Sequence, residues 1–254
     1  MAQVKSHESP LLERGDIFFL YRPRVGLDEA HVLEDVERLY ILLKPWQAQK
    51  YRLLIVGQKK LPDPNEHNRF WAFVWRVFKD REALNAELGE RQYTTRTRGV
   101  RHVAAARPAG EGIYAIARHH DHTHLAYVLE LPQHEGPAER ELNIKRKASY
   151  VIAVKNPQSP NPPAAGLDPD REARFPKKLQ EAFAGRRFSP IDPPDFLDYE
   201  GAELILIGAT QDVERELGIE FKADAETEHS ADVFRVLTLP REVAREPLFR
   251  GQWK

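Results

Sequence analysis

Eight short apolar runs, rich in β-branched and aromatic residues and bounded by Gly and Pro, constrain the fold of this chain more than any other feature. Runs of this length and composition are typical of β-strands. They cover residues 16–21, 38–44, 51–58, 70–77, 112–118, 123–131, 149–155 and 202–208. Helix start and stop signals bracket fewer segments, at 80–89, 175–185 and 211–218. The irregular mixture, richer in strand than in helix, predicts an α+β fold that is predominantly antiparallel β-sheet with a few packed helices.

The same order of strand, proline and turn occurs in both halves of the chain. A strand beginning near Gly15 resembles one beginning near Glu111, and each is followed by an apolar strand that ends in Pro. A third strand then leads to a basic residue and a Pro-rich turn, and the second half carries an insert at 133–148. We interpret the pattern as an internal duplication. Chance recurrence in a strand-rich chain is the alternative.

The duplication divides the chain into two related β units. The first covers residues 1–98 and includes the helix at 80–89, and the second covers residues 99–254. The second unit contains the helices near 175–185 and 211–218 and a Pro-rich loop at 156–170. So many prolines cannot continue a helix or a central strand, so this stretch is predicted to be a loop.

Composition excludes several classes of protein. The chain has no cysteine, which excludes disulfides, Cys-ligated zinc and a thiol nucleophile. A formal net charge of −1 over 254 residues excludes a uniformly basic coat for nucleic acid but leaves room for a local basic patch. The first residues lack the apolar stretch of a secretory signal, and no apolar run approaches the roughly 20 residues that span a bilayer. We expect a cytoplasmic protein of bacterial type with no membrane partner, in an oligomeric state that the sequence does not specify.

Four of the ten histidines lie within six positions, at His119, His120, His122 and His124. If 112–118 and 123–131 form a hairpin with its turn at Asp121 and His122, His119 pairs with His124. This register places Tyr127 and Leu129 on a core face and the two paired histidines on the other face.

Paired residues on neighbouring strands are close enough for two imidazoles to share a metal ion. A third ligand would have to come from Asp121, His122 or Glu111, and the spacing dictates none of them. A solvated hairpin tip is therefore favoured, and a divalent metal cofactor bound by His119, His124, His122 and Asp121 is the alternative.

A second candidate site is an arginine-rich stretch at 92–112, whose members are Arg96, Arg98, Arg101, Arg107, Gly110 and Gly112. Guanidinium groups suit phosphates and carboxylates, and two glycines in a turn would let backbone N–H groups approach an anion. The glycines formally match a dinucleotide-binding fingerprint, but Pro108 and the strand that follows exclude that fold context. A solvated edge strand guarded by charge is the alternative.

The stretch 69–78 interleaves aromatic residues with arginine, a pattern that can stack nucleic-acid bases. Both of its faces are apolar, which favours a buried central strand. Three classes of function follow. The best supported by sequence is a binding protein for an anionic ligand or nucleic acid. A metal-assisted hydrolase that uses the histidines is the first alternative, and a structural or assembly protein is the second.

Overall fold

The computed structural model describes residues 9–97, 99–162, 166–223, 226–227 and 229–254. Within these ranges the strands and helices, in chain order, are β1 (Leu11–Pro23), β2 (Val36–Pro45), β3 (Tyr51–Val56), β4 (Arg69–Phe78), α1 (Arg81–Leu88), β5 (Arg91–Thr95), β6 (Gly99–Val103), β7 (Arg107–His119), β8 (His122–Leu131), α2 (Pro137–Leu142), β9 (Lys147–Lys155), α3 (Lys177–Ala182), β10 (Phe188–Pro190), β11 (Glu203–Thr210), α4 (Val213–Leu217), α5 (Asp232–Arg235) and α6 (Arg241–Ala244). No helix in the described ranges is long and apolar enough to cross a membrane.

Eight strands form one closed antiparallel barrel. Neighbours follow the order β9, β11, β4, β3, β2, β1, β7 and β8, and the pairing of β8 with β9 closes the circle. These are the eight runs that the sequence identified, so the prediction of a mostly antiparallel β protein is confirmed. Closure was not predicted, and the short helices make α+β a loose description. β10 extends the sheet beside β9, and β5 and β6 form a separate two-stranded sheet.

The two predicted β units contribute four barrel strands each. β1 to β4 follow one another as neighbours, and β7, β8, β9 and β11 do the same. The two sets meet at the β1–β7 pair and at the β4–β11 pair. The strand order expected from the internal similarity is therefore present, while a common origin of the halves stays a prediction. The predicted boundary after residue 98 falls between β5 and β6, which pair with each other.

Side chains fill the barrel, and helices cover parts of its outside. Along β1, Ile17 and Phe19 belong to the interior core, whereas Phe18 packs in a second cluster with α1, α5 and α6. Burial on both faces explains why this strand reads as a continuous apolar run. A third cluster joins α4 to alanines on the outer face of β7 and β8. Because alanine is small, α4 lies close to the sheet and next to the β7–β8 hairpin.

The β7–β8 hairpin differs from the predicted register by two residues. Its turn is at His120 and Asp121, and His119 pairs with His122 while Ala117 pairs with His124. His120 adopts a φ of 55°, a region that histidine visits more readily than most residues. The predicted pairing of His119 with His124 is therefore wrong.

The predicted faces of the hairpin are nevertheless confirmed, since a shift of two residues keeps every side chain on its side of the sheet. Tyr127 and Leu129 are buried in the barrel core. His119, His122 and His124 share the outer face.

Gly112 tests how closely β7 and β8 approach each other. A Cβ at this position would lie 2.1 Å from the Val128 carbonyl oxygen, so Gly112→Ala must displace backbone. We expect the free energy of unfolding to fall by about 1–3 kcal/mol, measured by urea denaturation. Gly110→Ala is the matched control, because its Cβ would lie 3.4 Å from the side chains of Leu129 and Phe19. Equal stability of the two variants would contradict the close approach.

Candidate metal centre

The arginine-rich stretch is not assembled as the sequence suggested. Arg96 is exposed beside the β5–β6 turn, and Arg98 lies outside the described residues. Arg101 donates to the Val25 carbonyl oxygen at 3.2 Å, and buried Arg107 donates to the Asp28 carbonyl oxygen at 3.1 Å. Arg101 and Arg107 therefore each donate a hydrogen bond to the backbone of the protein itself. Anion binding by this stretch stays a prediction.

The sequence predicted that Gly110 and Gly112 form a turn before a strand, and this prediction is wrong. β7 begins at Arg107, so both glycines lie inside it, and both are buried. β7 begins this early because β1 is long and pairs with β7 as far back as Arg107. The two glycines serve close packing of the strands rather than an open turn.

Three histidines converge at the tip of the β7–β8 hairpin. One ring nitrogen from each of His119, His122 and His124 lies within 4.8 Å of the others. Ring centroids are 5.5 Å apart for His119 and His124 and 4.9 Å apart for His122 and His124. Imidazole nitrogens that share a zinc ion at about 2.1 Å are about 3.4 Å apart in tetrahedral geometry. His119 and His122 are half-buried, whereas His124 is fully buried.

Each of two histidines has a polar partner on its Nδ1 atom. His122 Nδ1 lies 3.0 Å from Asp121 Oδ1. His124 Nδ1 lies 2.7 Å from Ser149 Oγ on β9. In both rings this leaves Nε2 for another partner. Metal-bound histidines commonly bond through one nitrogen to the metal and through the other to an oxygen that fixes the ring.

A carboxylate from α4 completes the surroundings of His124. Glu216 Oε2 lies 3.7 Å from His124 Nδ1, and the Glu216 carboxylate also interacts with Ser149. Val213 and Leu217 pack on the alanines of β7 and β8, and Glu216 follows Val213 by three positions, which places it on the same side of the helix. Gly218, with a φ of 66°, ends α4 immediately after this turn.

Two nitrogen atoms of the cluster are buried without a hydrogen bond. These are His119 Nδ1 and His124 Nε2, and Glu216 Oε2 is in the same condition. A buried polar atom without a partner costs free energy, so such atoms are rare and point to a ligand or ion.

The surroundings of His119 and His124 favour the neutral form of both rings. Burial, and then the neighbouring histidines His122 and His119, lowers the pKa of His124 to about 3. Burial and the neighbouring His120 and His122 also lower the pKa of His119. Neutral imidazole is the form that binds metal, so both rings are ready to act as ligands at neutral pH.

The structure changes the predicted ligand set. Asp121 is fully exposed and contacts the outer nitrogen of His122, so it orients a ligand instead of joining the cluster. Glu111 lies far along β7 and accepts hydrogen bonds from the backbone of α5. Ser149 and Glu216 were missed, because they come from β9 and α4 and no local spacing links them to the histidines.

Comparison with known proteins gives no match for this chain among family models, curated protein sequences or solved structures.

Proposed function

We propose that this protein binds a divalent transition metal ion, zinc first among them, through His119, His122 and His124. The observation that carries the proposal is the convergence of one ring nitrogen from each of three histidines, in a cluster where two ring nitrogens are buried without a hydrogen bond. Three imidazoles suit Zn²⁺ and its first-row neighbours, whereas Mg²⁺ and Ca²⁺ prefer oxygen ligands. Polar partners on the outer nitrogens of His122 and His124 support the same assignment.

Metal binding is favoured over anion binding by the arginine-rich stretch as the function of this protein. Arg101 and Arg107 donate to backbone carbonyl oxygens, whereas His119 Nδ1 and His124 Nε2 are buried without a hydrogen-bond partner. A solvated hairpin tip, which the sequence favoured, would be expected to leave these nitrogens accessible to water.

The test is a calorimetric titration of metal-free protein with zinc sulfate at neutral pH. We expect one ion per chain and a thermal unfolding midpoint that rises with zinc concentration, because an ion that binds only the folded state stabilises it. Magnesium chloride is the control and should give neither effect. Heat from weak sites alone, with no rise in the midpoint, would overturn the proposal.

Hydrolysis by metal-activated water is the second candidate, favoured by the number of ligands. Among the described residues the cluster holds three ligand groups, and zinc with three protein ligands keeps a fourth position for water. Zinc lowers the pKa of such a water to about 7 and so supplies hydroxide. In p-nitrophenyl acetate, hydroxide would add to the carbonyl carbon and nitrophenolate would leave. A zinc-dependent rate of ester hydrolysis that rises with pH through about 7 would support this step. Zinc binding without turnover would overturn the hydrolysis proposal and leave the zinc-binding proposal standing.

A further inference from the structure

The outer face of β4 presents a band of aromatic side chains that remains partly exposed. Trp71, Phe73 and Trp75 alternate along this face and are each half-buried, while Ala72 and Val74 fill the barrel core behind them. Trp71 stacks with Phe73 at a centroid distance of 6.5 Å. The sequence favoured a strand buried on both faces, and the structure leaves one of the faces partly open.

Three guanidinium groups surround the indole ring of Trp75. Arg38, Arg76 and Arg171 lie 4.9, 5.5 and 5.3 Å from the ring centroid. The indole Nε1 donates to Glu87 Oε1 at 3.1 Å, which fixes the ring in place. Cations stack on tryptophan because of its electron-rich face, but three of them at one ring also repel one another. An anion placed between them would relieve that repulsion.

A cleft of about 750 Å³ opens beside this ring and is lined by Phe73, Arg76, Arg171 and Arg174. Carboxylates also line it, but three of them have cationic partners. Glu200 pairs with Arg76, Glu172 with Lys155, and Asp198 with Lys50 and Arg52.

Three charged groups of the cleft lining remain without an ion pair among the described residues. They are Arg171, Arg174 and Asp170. Two guanidinium groups against one carboxylate leave one positive charge over. Guanidinium forks bind phosphate oxygens in pairs, and their flat faces stack on planar rings.

We propose that this cleft binds a nucleotide whose phosphates are held by Arg171 and Arg174. The base of the nucleotide lies against Phe73 and against the guanidinium groups that stack on Trp75. Free nucleotides and the nucleotide units of a single strand share this chemistry. The site lies on β4, whereas the histidine cluster lies on the β7–β8 hairpin, so the two proposals are independent.

The experiment measures binding of ATP by calorimetry and of a fluorescein-labelled oligothymidylate by anisotropy. The double variant Arg171→Ala/Arg174→Ala should weaken both ligands by about 10-fold or more, because hydrogen bonds to charged groups are the strong ones. Arg24→Ala/Arg215→Ala removes the same charge from two other exposed arginines and should change binding little. Tighter binding of the oligomer would identify a single strand as the ligand, and equal binding would identify the free nucleotide.

A second variant separates base recognition from simple charge attraction. Phe73→Ala should weaken ATP by about 5-fold or more, since a base that loses its stacking partner loses that contribution. Binding of inorganic pyrophosphate, which has no base, should stay unchanged. The proposal is overturned if wild-type protein binds neither probe, or if the Arg24/Arg215 control weakens them as much as the Arg171/Arg174 variant.

Discussion

Replacement of His124 by Ala is expected to abolish specific zinc binding, with a loss of affinity of about 100-fold or more measured by calorimetry. His124 is the buried member of the cluster, and its Nε2 has no other partner. Its pKa of about 3 keeps the imidazole neutral, so no proton competes with the metal at neutral pH.

His120→Ala is the matched control for this experiment. His120 is exposed, and its ring lies 4.3 Å from that of His119, but its side chain is not part of the converging group. We expect it to change zinc affinity little. His122→Ala provides a second test in a half-exposed position that tolerates substitution, should removal of the buried ring disturb folding. Zinc binding that survives both His122→Ala and His124→Ala would contradict the assignment.

The oxygen partners of the cluster should have a smaller, graded effect. Loss of a group that orients a metal ligand typically costs 10–100-fold in affinity. Ser149→Ala removes the partner of His124 Nδ1, and Glu216→Gln keeps the size of the side chain while removing its charge. A loss of zinc affinity that is largest in His124→Ala and smaller in Ser149→Ala and Glu216→Gln would support the orienting roles. These two variants should leave the pairing of β8 with β9 intact.

The stability of the protein is expected to depend steeply on the ionisation of Glu111. This side chain is fully buried on β7, and its two oxygens accept backbone N–H groups of Asp232 and Val233 at the start of α5. Burial, and then a hydrogen bond with Glu226, raises the pKa of the Glu111 carboxyl to about 10. The folded state therefore prefers the protonated form, while the unfolded state has the ordinary value near 4.5.

A raised pKa in the folded state stabilises the protein below the unfolded pKa, and this stabilisation is lost as the pH rises toward the folded pKa. For Glu111 the window extends from about 4.5 to about 10, with a slope of up to about 1.4 kcal/mol per pH unit. Urea denaturation across this window should show falling stability in wild-type protein and a flatter profile in Glu111→Gln. Glu220→Gln, at an exposed carboxyl, is the control and should keep the wild-type slope. Equal slopes in wild type and Glu111→Gln would contradict this prediction.

The barrel strands and three of the six α-helices in the described residues could be predicted from local pattern. All eight barrel strands were recognised from the sequence. Each strand must bury apolar residues and end at a turn, and both features are visible in residues that are close together in the sequence. The helices at 80–89, 175–185 and 211–218 correspond to α1, α3 and α4 for the same reason. β5, β6 and β10 were missed, since they are short and polar or contain proline and so lack the apolar signal.

Alternation of side chains along a strand was enough to place His119 and His124 on one face of a hairpin. Alternation did not fix the register, since His120 with Asp121 and Asp121 with His122 are both short polar turns, and His122 was therefore assigned to the turn instead of to the strand that pairs with His119. Closure of the barrel is visible only in three dimensions, because it depends on β8 meeting β9. That same pairing, together with α4 lying on the alanine face, brings Ser149 and Glu216 to His124. Contacts between residues distant in sequence leave no periodicity to detect, so the partners that orient the site had to be found in space.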